Sequence, residues 1–420
     1  MQGLKEECFI LQHRKIGYVT TSVGTLSHTF IRREISELRR LGMDIELFGI
    51  RPESAAELSN EEIKLLNGTT FLYPLKISSI ISRNFWLIIT KPLCYFKTLF
   101  AALFNEELNI YQHLKLMYHF FISPCIALNM QQKGIRHIHA HFMNVPATIA
   151  MYCSGLLGLP YSITVHSAGI KGLKEMIGLK SKLKKANFIC TISKYNKDYI
   201  NDNLFPCRQK TYIVRCGVDP NEFAWKNSHI MQNQKEIKLI SIGRFVEKKG
   251  FKYLLDAAEL LKKEKIDFEL TFIGKGPLKS KIESLSKTYG LSDCIFFKGS
   301  IPHEEVKEEL SRSDILIVSS VESKTGEKEG IPTVIMEAMA SGVLVIATAH
   351  SGIPEIVKNK LTGLLVPEKD PFALVDAIKL LGKDNNLVKT CANNARELIS
   401  GEFNIKKIAI QKKEIFDKNI

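Results

Sequence analysis

The sequence predicts an α/β protein built of two doubly wound, Rossmann-like units that face one cleft. Short apolar runs alternate with longer helical patterns in both halves, which is the rhythm of strand and helix units around a parallel sheet. A stretch without periodicity separates the halves, and 420 residues exceed one compact core. Hydrophobic residues at 45% and charged residues at 24% are globular values, which excludes a disordered or a fibrous chain.

In the first half the strand candidates are 16–20, 45–49, 137–141, 162–165, 188–192 and 212–214. In the second half they are 238–242, 269–274, 295–299, 315–319, 343–347 and 363–366, each followed by a helical pattern. Between the two sets, 216–236 (CGVDPNEFAWKNSHIMQNQKE) gains Asn, Gln and Pro and reads as the linker. The expected division is a first unit over 1–220, a second over 221–400 and a terminal segment over 401–420. The stretch from about Leu75 to Met130 fits neither unit. It is apolar, aromatic and Lys-rich, and reads either as a membrane-facing helical insertion or as ordinary buried helices.

The net charge is +14, and residues 1–220 carry +11 of it, with 27 Lys and Arg against 16 Asp and Glu. A basic first unit suits an anionic partner: nucleic acid, an acidic membrane surface or a phosphorylated substrate. The densest run is 171–197, where eight lysines, Lys182 among them, stand against Glu175 alone. It reads as a solvated face or as a peripheral contact with an anionic leaflet. The nine cysteines never form a CxxC pair, so neither a disulfide framework nor a thiolate zinc site is expected. The opening MQGLKEECFILQHRK does not read as a signal peptide, and no stretch reaches the length of a spanning helix. A cytoplasmic location follows as the expectation.

The most informative segment is EGIPTVIMEAMASG, from Glu329 to Gly342. Gly330 allows close backbone approach, Pro332 suits a helix start, and Thr333 opens a helix expected over 333–340. In an open parallel sheet the ligand sits beyond the carboxyl ends of the strands, so this helix start is an anion site. Glu329 and Glu337 would repel a diphosphate unless hydroxyl donors occupied them. A sugar nucleotide supplies such donors on both sides of its diphosphate. In SIGRFVEKKG, Gly243, Arg244 and Lys249 follow a strand, and two cations there would meet charge developing on a leaving diphosphate.

Other segments are weaker. FIGKGPLKSKI, with Gly274 and Gly276, lacks the third glycine of a dinucleotide fingerprint and reads as a turn. Gly24, in TTSVGTLSH, lies in a loop that would admit a phosphate or an acceptor, and His166, in ITVHS, follows a strand toward the same cleft. His139 and His141 alternate on one strand without an apparent third ligand, so they read as structural. There is no DxD, HExxH or clustered His/Cys/Asp set, so no metal and no other cofactor is expected.

These residues resemble the retaining GT-B glycosyltransferases of family 4. The motifs are SIGRFVEKKG, FIGKGPLKSKIE, FFKGSIPHEEV, EKEGIPTVIMEAMASGVLVIAT, HSGIPEIV and TGLLVPEKD, which span nearly all of 238–370. HAHFMNVPATIA and YSITVHSAGI resemble the subgroup that makes capsular and colanic-acid-type exopolysaccharides. The resemblance implies that Arg244 and Lys249 clamp the diphosphate, that Glu337 binds the ribose, and that Glu329 reads a hydroxyl of the transferred sugar with amides after Gly330. It implies that Ile301 holds the base through its backbone and that His166 contacts the donor sugar and the reacting centre. The implied donor-binding set is Gly24, Gly243, Arg244, Lys249, Gly274, Ile301, Glu329, Gly330, Ile331, Pro332, Thr333 and Glu337. The family often has Asp shortly after its histidine, where this chain has Gly169. FNIKKIAIQKKEIF resembles the family's last helix, which crosses back to the first unit.

The expected activity is therefore metal-independent transfer from a UDP- or GDP-sugar to a polyprenyl-diphosphate-linked saccharide, on the inner face of the membrane. A sugar-nucleotide 2-epimerase of the same architecture and a non-catalytic membrane assembly subunit are the alternatives. Nucleic-acid binding ranks last, because no aromatic RNA-binding set or helix-turn-helix signal accompanies the charge.

Overall fold

The computed structural model describes residues 15–21, 29–52, 60–104, 108–166, 177–206, 210–225 and 236–420. Gly24, Gly169 and 226–235 of the expected linker lie outside them.

The first sheet holds β1 (Ile16–Thr20), β2 (Ile45–Gly49), β3 (Thr70–Phe71), β4 (His137–His141), β5 (Tyr161–Val165), β6 (Ile189–Thr191) and β7 (Thr211–Ile213). The second holds β8 (Ile237–Ile242), β9 (Phe268–Ile273), β10 (Ile295–Gly299), β11 (Ile315–Val318), β12 (Leu344–Thr348) and β13 (Leu364–Val366). Their orders are β3-β2-β1-β4-β5-β6-β7 and β10-β9-β8-β11-β12-β13, and these strands pair in parallel throughout among the described residues. Central strands such as β1, β4 and β12 are buried along their whole length because helices cover both faces, which explains their unbroken apolar runs. The strand order reverses between β1 and β4 and again between β8 and β11, and such switch points open a crevice at the strands' carboxyl ends.

The predicted strands hold with small shifts: 188–192 shortens to Ile189–Thr191, and 343–347 slides to Leu344–Thr348. β3 escapes prediction because two residues carry no alternation.

The first unit's helices are α1 (Thr29–Arg40), α2 (Asn60–Asn67), α3 (Ile77–Thr90), α4 (Pro92–Leu103) and α5 (Ile110–Ile122). They continue with α6 (Pro124–Gln132), α7 (Val145–Leu157), α8 (Leu179–Lys185) and α9 (Lys194–Asn203). The second unit adds α10 (Phe251–Lys263), α11 (Lys279–Thr288), α12 (His303–Arg312) and α13 (Thr333–Ser341). The chain closes with α14 (Pro371–Lys383), α15 (Asn385–Gly401) and α16 (Ile405–Asn419).

The segment that fitted neither pattern forms α3 to α6 between β3 and β4. Leu87, Tyr95, Ala102 and Phe120 turn inward into one core with α7 residues such as Tyr152. Pro92 starts α4, and α3 and α4 bend by 118° at that break. Among the described residues no single helix is long and apolar enough to cross a membrane. Lys182 corrects the expected basic face. It is buried, and its Nζ donates to the carbonyls of Met143 (2.9 Å) and Asn144 (3.5 Å).

Helix α16 packs on α1, and its Ile408, Ala409, Ile415 and Phe416 share a core with Tyr18, Ile31, Ile35 and Phe188 of the first unit. Inside that core Lys412 is fully buried, with Nζ 2.6 Å from Glu34 Oε1 and 3.2 Å from Thr164 Oγ1.

Candidate active site

The loop after β11 runs into α13, and four glycines set its surroundings. Gly250 stands at φ +64, and a Cβ there would lie 1.9 Å from the Ser319 carbonyl oxygen, so only glycine lets the β8 and β11 loops touch. A Cβ on Gly274 would meet Gly243 O at 2.0 Å, and one on Gly243 would meet Lys249 Cε at 2.9 Å. These contacts bring the Lys249 side chain to Glu329, with Nζ 3.0 Å from Oε2. Gly330 comes next, and a Cβ on it would meet the carbonyl oxygen of His166 at 2.5 Å. One line of contacts thus joins Gly274, Gly243, Lys249, Glu329, Gly330 and His166 across the two units.

Glu329 is fixed from behind. Its backbone N–H donates to His350 Nε2 (3.1 Å), and His350 Nδ1 lies 2.6 Å from Glu368 Oε1. Burial disfavours its charge, but Lys249, Lys248 and His350 outweigh this and hold the carboxyl below its ordinary range. Pro332 is the N-cap of α13 rather than its first helical residue, and no side chain caps that end. The carbonyl of Pro332 takes the Ile335 N–H (3.1 Å), leaving the first turn of α13 as an anion-receptive helix start.

Glu337, within the same helix, belongs to a second set. Its Oε1 accepts from Arg33 Nη2 of α1 at 2.9 Å and lies 3.3 Å from His303 Nε2. Burial would raise its pKa, yet Arg33 and His303 bring it down to about 2. Arg244 is exposed, in the loop against which Gly274 and Gly276 pack. Ile301 is half-buried against the core that contains Ile331, Val334 and Ile335.

On the first unit's side, His166 lies between the rings of Phe30 (4.5 Å) and Phe142 (4.9 Å). Phe142 directly follows β4 at φ +72, an unusual value for a bulky residue and a mark of local strain. His166 Nε2 lies 2.9 Å from His141 Nδ1, and His141 Nε2 lies 3.3 Å from Glu34 Oε1. Lys412 and His141 outweigh burial and keep Glu34 ionised, while burial keeps His141 neutral despite Glu34. His141 thus stands between the Glu34 carboxylate and His166, with Nδ1 within hydrogen-bond distance of His166 Nε2.

Glu34 is also the third ligand type that was missing beside His139 and His141, since the three ligand atoms lie within 4.8 Å of one another. His141 Nε2 faces Glu34 at 3.3 Å without a hydrogen bond, and the other two members are engaged. His139 bonds Ser162 Oγ (2.7 Å) and Thr164 Oγ1 (2.8 Å), and the Lys412 ammonium takes the cation's place beside Glu34. The donor set fits a structural network rather than a metal.

Sequence reasoning missed Arg33, Glu34, His303, His350 and Lys412. His303 and His350 stand inside the quoted motifs FFKGSIPHEEV and HSGIPEIV and were legible there as polar residues after strands. In the latter motif Glu355 is an inter-unit strut, accepting from the N–H groups of Lys194 (3.0 Å) and Tyr195 (2.9 Å) at the start of α9 and from Arg215 (2.9 Å).

Two parallel-sheet units facing across glycine-lined loops define the GT-B class of fold. The structure superposes on the sucrose-phosphate synthase of Thermosynechococcus elongatus with a TM-score of 0.72 and 21% identity, covering 96% of this chain and 99% of that one. It superposes on Anabaena HepE in complex with UDP and glucose with a TM-score of 0.70 and 14% identity, covering 97% and 100%. More particularly, residues 225–398 match the family described as "Glycosyl transferases group 1". It is 34% identical over 196 residues to the amylovoran biosynthesis glycosyltransferase AmsK of Erwinia amylovora, covering 47% of this chain and 48% of that protein. It is equally identical over 198 residues to the putative colanic acid biosynthesis glycosyltransferase WcaL of Escherichia coli, with the same coverage. The chain spans about half the length of these curated relatives.

Proposed function

We propose that the protein is a retaining glycosyltransferase of exopolysaccharide biosynthesis. It moves a sugar from a UDP- or GDP-sugar to a polyprenyl-diphosphate-linked saccharide, without a metal, from the cytoplasmic side and attached to the inner face of the membrane. The observation that carries the reading is the Lys249–Glu329 ion pair at 3.0 Å, next to Gly330 and the open start of α13. The names of AmsK and WcaL and the UDP and glucose bound to HepE support it.

In this reading the diphosphate draws Lys249 toward itself and, with Arg244, receives compensation for the charge that grows as the glycosidic bond breaks. Glu329, released from Lys249, accepts a hydroxyl of the transferred sugar, while N–H groups of Ile331 and Thr333 face the donor. Glu337, kept ionised by Arg33, accepts from the ribose hydroxyls. The leaving diphosphate oxygen takes the proton of the acceptor hydroxyl on the same face of the sugar, so no covalent enzyme nucleophile enters. His166, paired with His141, lies at the reacting centre. The backbone around Ile301 borders the base.

A thermal-shift screen of UDP- and GDP-sugars tests the donor, because a ligand bound only by the folded state raises the melting temperature by mass action. The expected result is a shift with one sugar nucleotide, followed by transfer to a polyprenyl-diphosphate saccharide with retention. No shift with any nucleotide or sugar nucleotide overturns the reading, and release of an isomerised free sugar without acceptor favours the epimerase.

A further inference from the structure

Helices α3, α4 and α5 are apolar on two sides, and only one side is covered. On α3, Ile77, Ile81, Phe85 and Ile89 recur at four-residue spacing and stand exposed, opposite the buried Leu87. On α4, Leu93, Phe96 and Phe100 stand exposed at spacings of three and four, with Leu93 86% exposed, while Tyr95 and Ala102 face the core. On α5, Ile110 is 76% exposed, and Leu114 and Tyr118 continue its outer face over the buried Leu116 and Phe120. Scattered apolar residues are normal on a surface, whereas a face continued over three successive helices marks an interaction site.

The charge around this face selects its occupant. The three helices contain no Asp or Glu, while Lys97 and Lys115 stand exposed on them. Helix α8, LKSKLKK, packs on α7 as α4 does and adds the exposed Lys184 and Lys185. The two sets are neighbours: beyond its burial, Lys185 is lowered by the charge of Lys97, and Lys182 by that of Lys115. A second copy docked symmetrically would set this cationic rim against itself. An anionic leaflet neutralises the rim and takes up the apolar side chains.

We propose that the outer faces of α3, α4 and α5 insert into the interfacial layer of an anionic bilayer, with Lys97, Lys115, Lys184 and Lys185 meeting lipid phosphates. This deepens the proposed attachment to the membrane and rests on that reading, whereas the donor chemistry stands apart from it. The 118° bend between α3 and α4 suits helices that lie along a surface.

The test is sedimentation of the full chain with phosphatidylcholine vesicles, with and without phosphatidylglycerol. Binding is expected to the anionic vesicles, weakening with salt, and the double variant Leu93→Glu, Phe100→Glu is expected to lower it by about tenfold or more. Changing Lys97, Lys184 and Lys185 to Gln removes the preference for anionic lipid. Trp86, on the outer side of α3, is one of two tryptophans and gives a reading that needs no charged variant. With Trp225→Phe, its emission shifts to the blue on anionic vesicles and is quenched by brominated lipid.

Absence of quenching, equal binding before and after the Leu93→Glu, Phe100→Glu change, or lipid-independent self-association abolished by that change overturns the proposal. The last outcome assigns the face to a second copy. Donor-induced thermal shifts in lipid-free buffer are measured in parallel. Their loss in the unaltered chain removes the transferase reading alone, and vesicle binding lost with those shifts intact removes the membrane face alone.

Discussion

Arg33 and Glu337 form a buried ion pair at 2.9 Å that ties helix α1 of one unit to helix α13 of the other. Each side chain is 6% exposed, so neither charge has water as a substitute partner. Removing Arg33 leaves Glu337 buried with only His303 beside it, and the expected cost is up to about 3–5 kcal/mol. Arg33→Met should therefore lower the urea midpoint substantially, and a change within experimental error would refute a stabilising role for the pair.

The same pair predicts a pH dependence. The folded-state pKa of Glu337 is about 2, against an ordinary 4.5. Its contribution to stability is fully present above 4.5 and is lost as pH falls through about 2. Denaturation curves from pH 6 to pH 2 should show this loss, and in Arg33→Met the acid-dependent portion should shrink.

Lys182 predicts a pH dependence of the same sign at higher pH, from a group that destabilises the fold while it is charged. Burial, with Lys115 adding to it, lowers its ammonium from an ordinary 10.5 to about 7. The unfolded chain binds the extra proton between those values, so stability rises with pH across that window. Lys182→Met should raise the melting temperature most at pH 6, and its advantage should fade toward pH 10. An advantage that is flat with pH would mean that the lysine is stabilised by something other than the carbonyls of Met143 and Asn144.

For the clamp, Lys249→Ala or Arg244→Ala should each reduce kcat by roughly a hundredfold, the scale for loss of one preorganised charge contact. Full activity in both would take them out of the reaction.

Transfer should also survive EDTA. Abolition by chelation with rescue by magnesium or manganese would require a metal beside the diphosphate and would overturn that part of the proposal.

The parts legible in sequence are those whose contacts are local. Gly243, Arg244 and Lys249 fall within one ten-residue motif, and Glu329 through Thr333 within another, so loop and helix start could be read from residue type and spacing. The Arg33–Glu337 pair spans 304 positions and the Glu34–Lys412 pair 378, and no periodicity relates such residues. The apolar helices α3 to α5 were legible as helices, but a helix that is apolar all round does not disclose which side its neighbours cover. Lys182 was hidden by its run, since one buried lysine among seven others has no distinguishing composition.

The placement of α16 has a consequence for synthesis. Tyr18 lies in the first strand, yet its ring packs 6.3 Å from that of Phe416, and Lys412 neutralises Glu34 only after 378 further residues have been joined. At translation rates of 5–20 residues per second, that interval is roughly 20–75 s. Throughout it the nascent first sheet lacks the ammonium that makes burial of Glu34 tolerable and the apolar side chains that close over Tyr18 and Phe188. The unit that leaves the ribosome first therefore lacks part of its core until α16 has been made, and it waits for that helix as a partner chain would wait for a subunit.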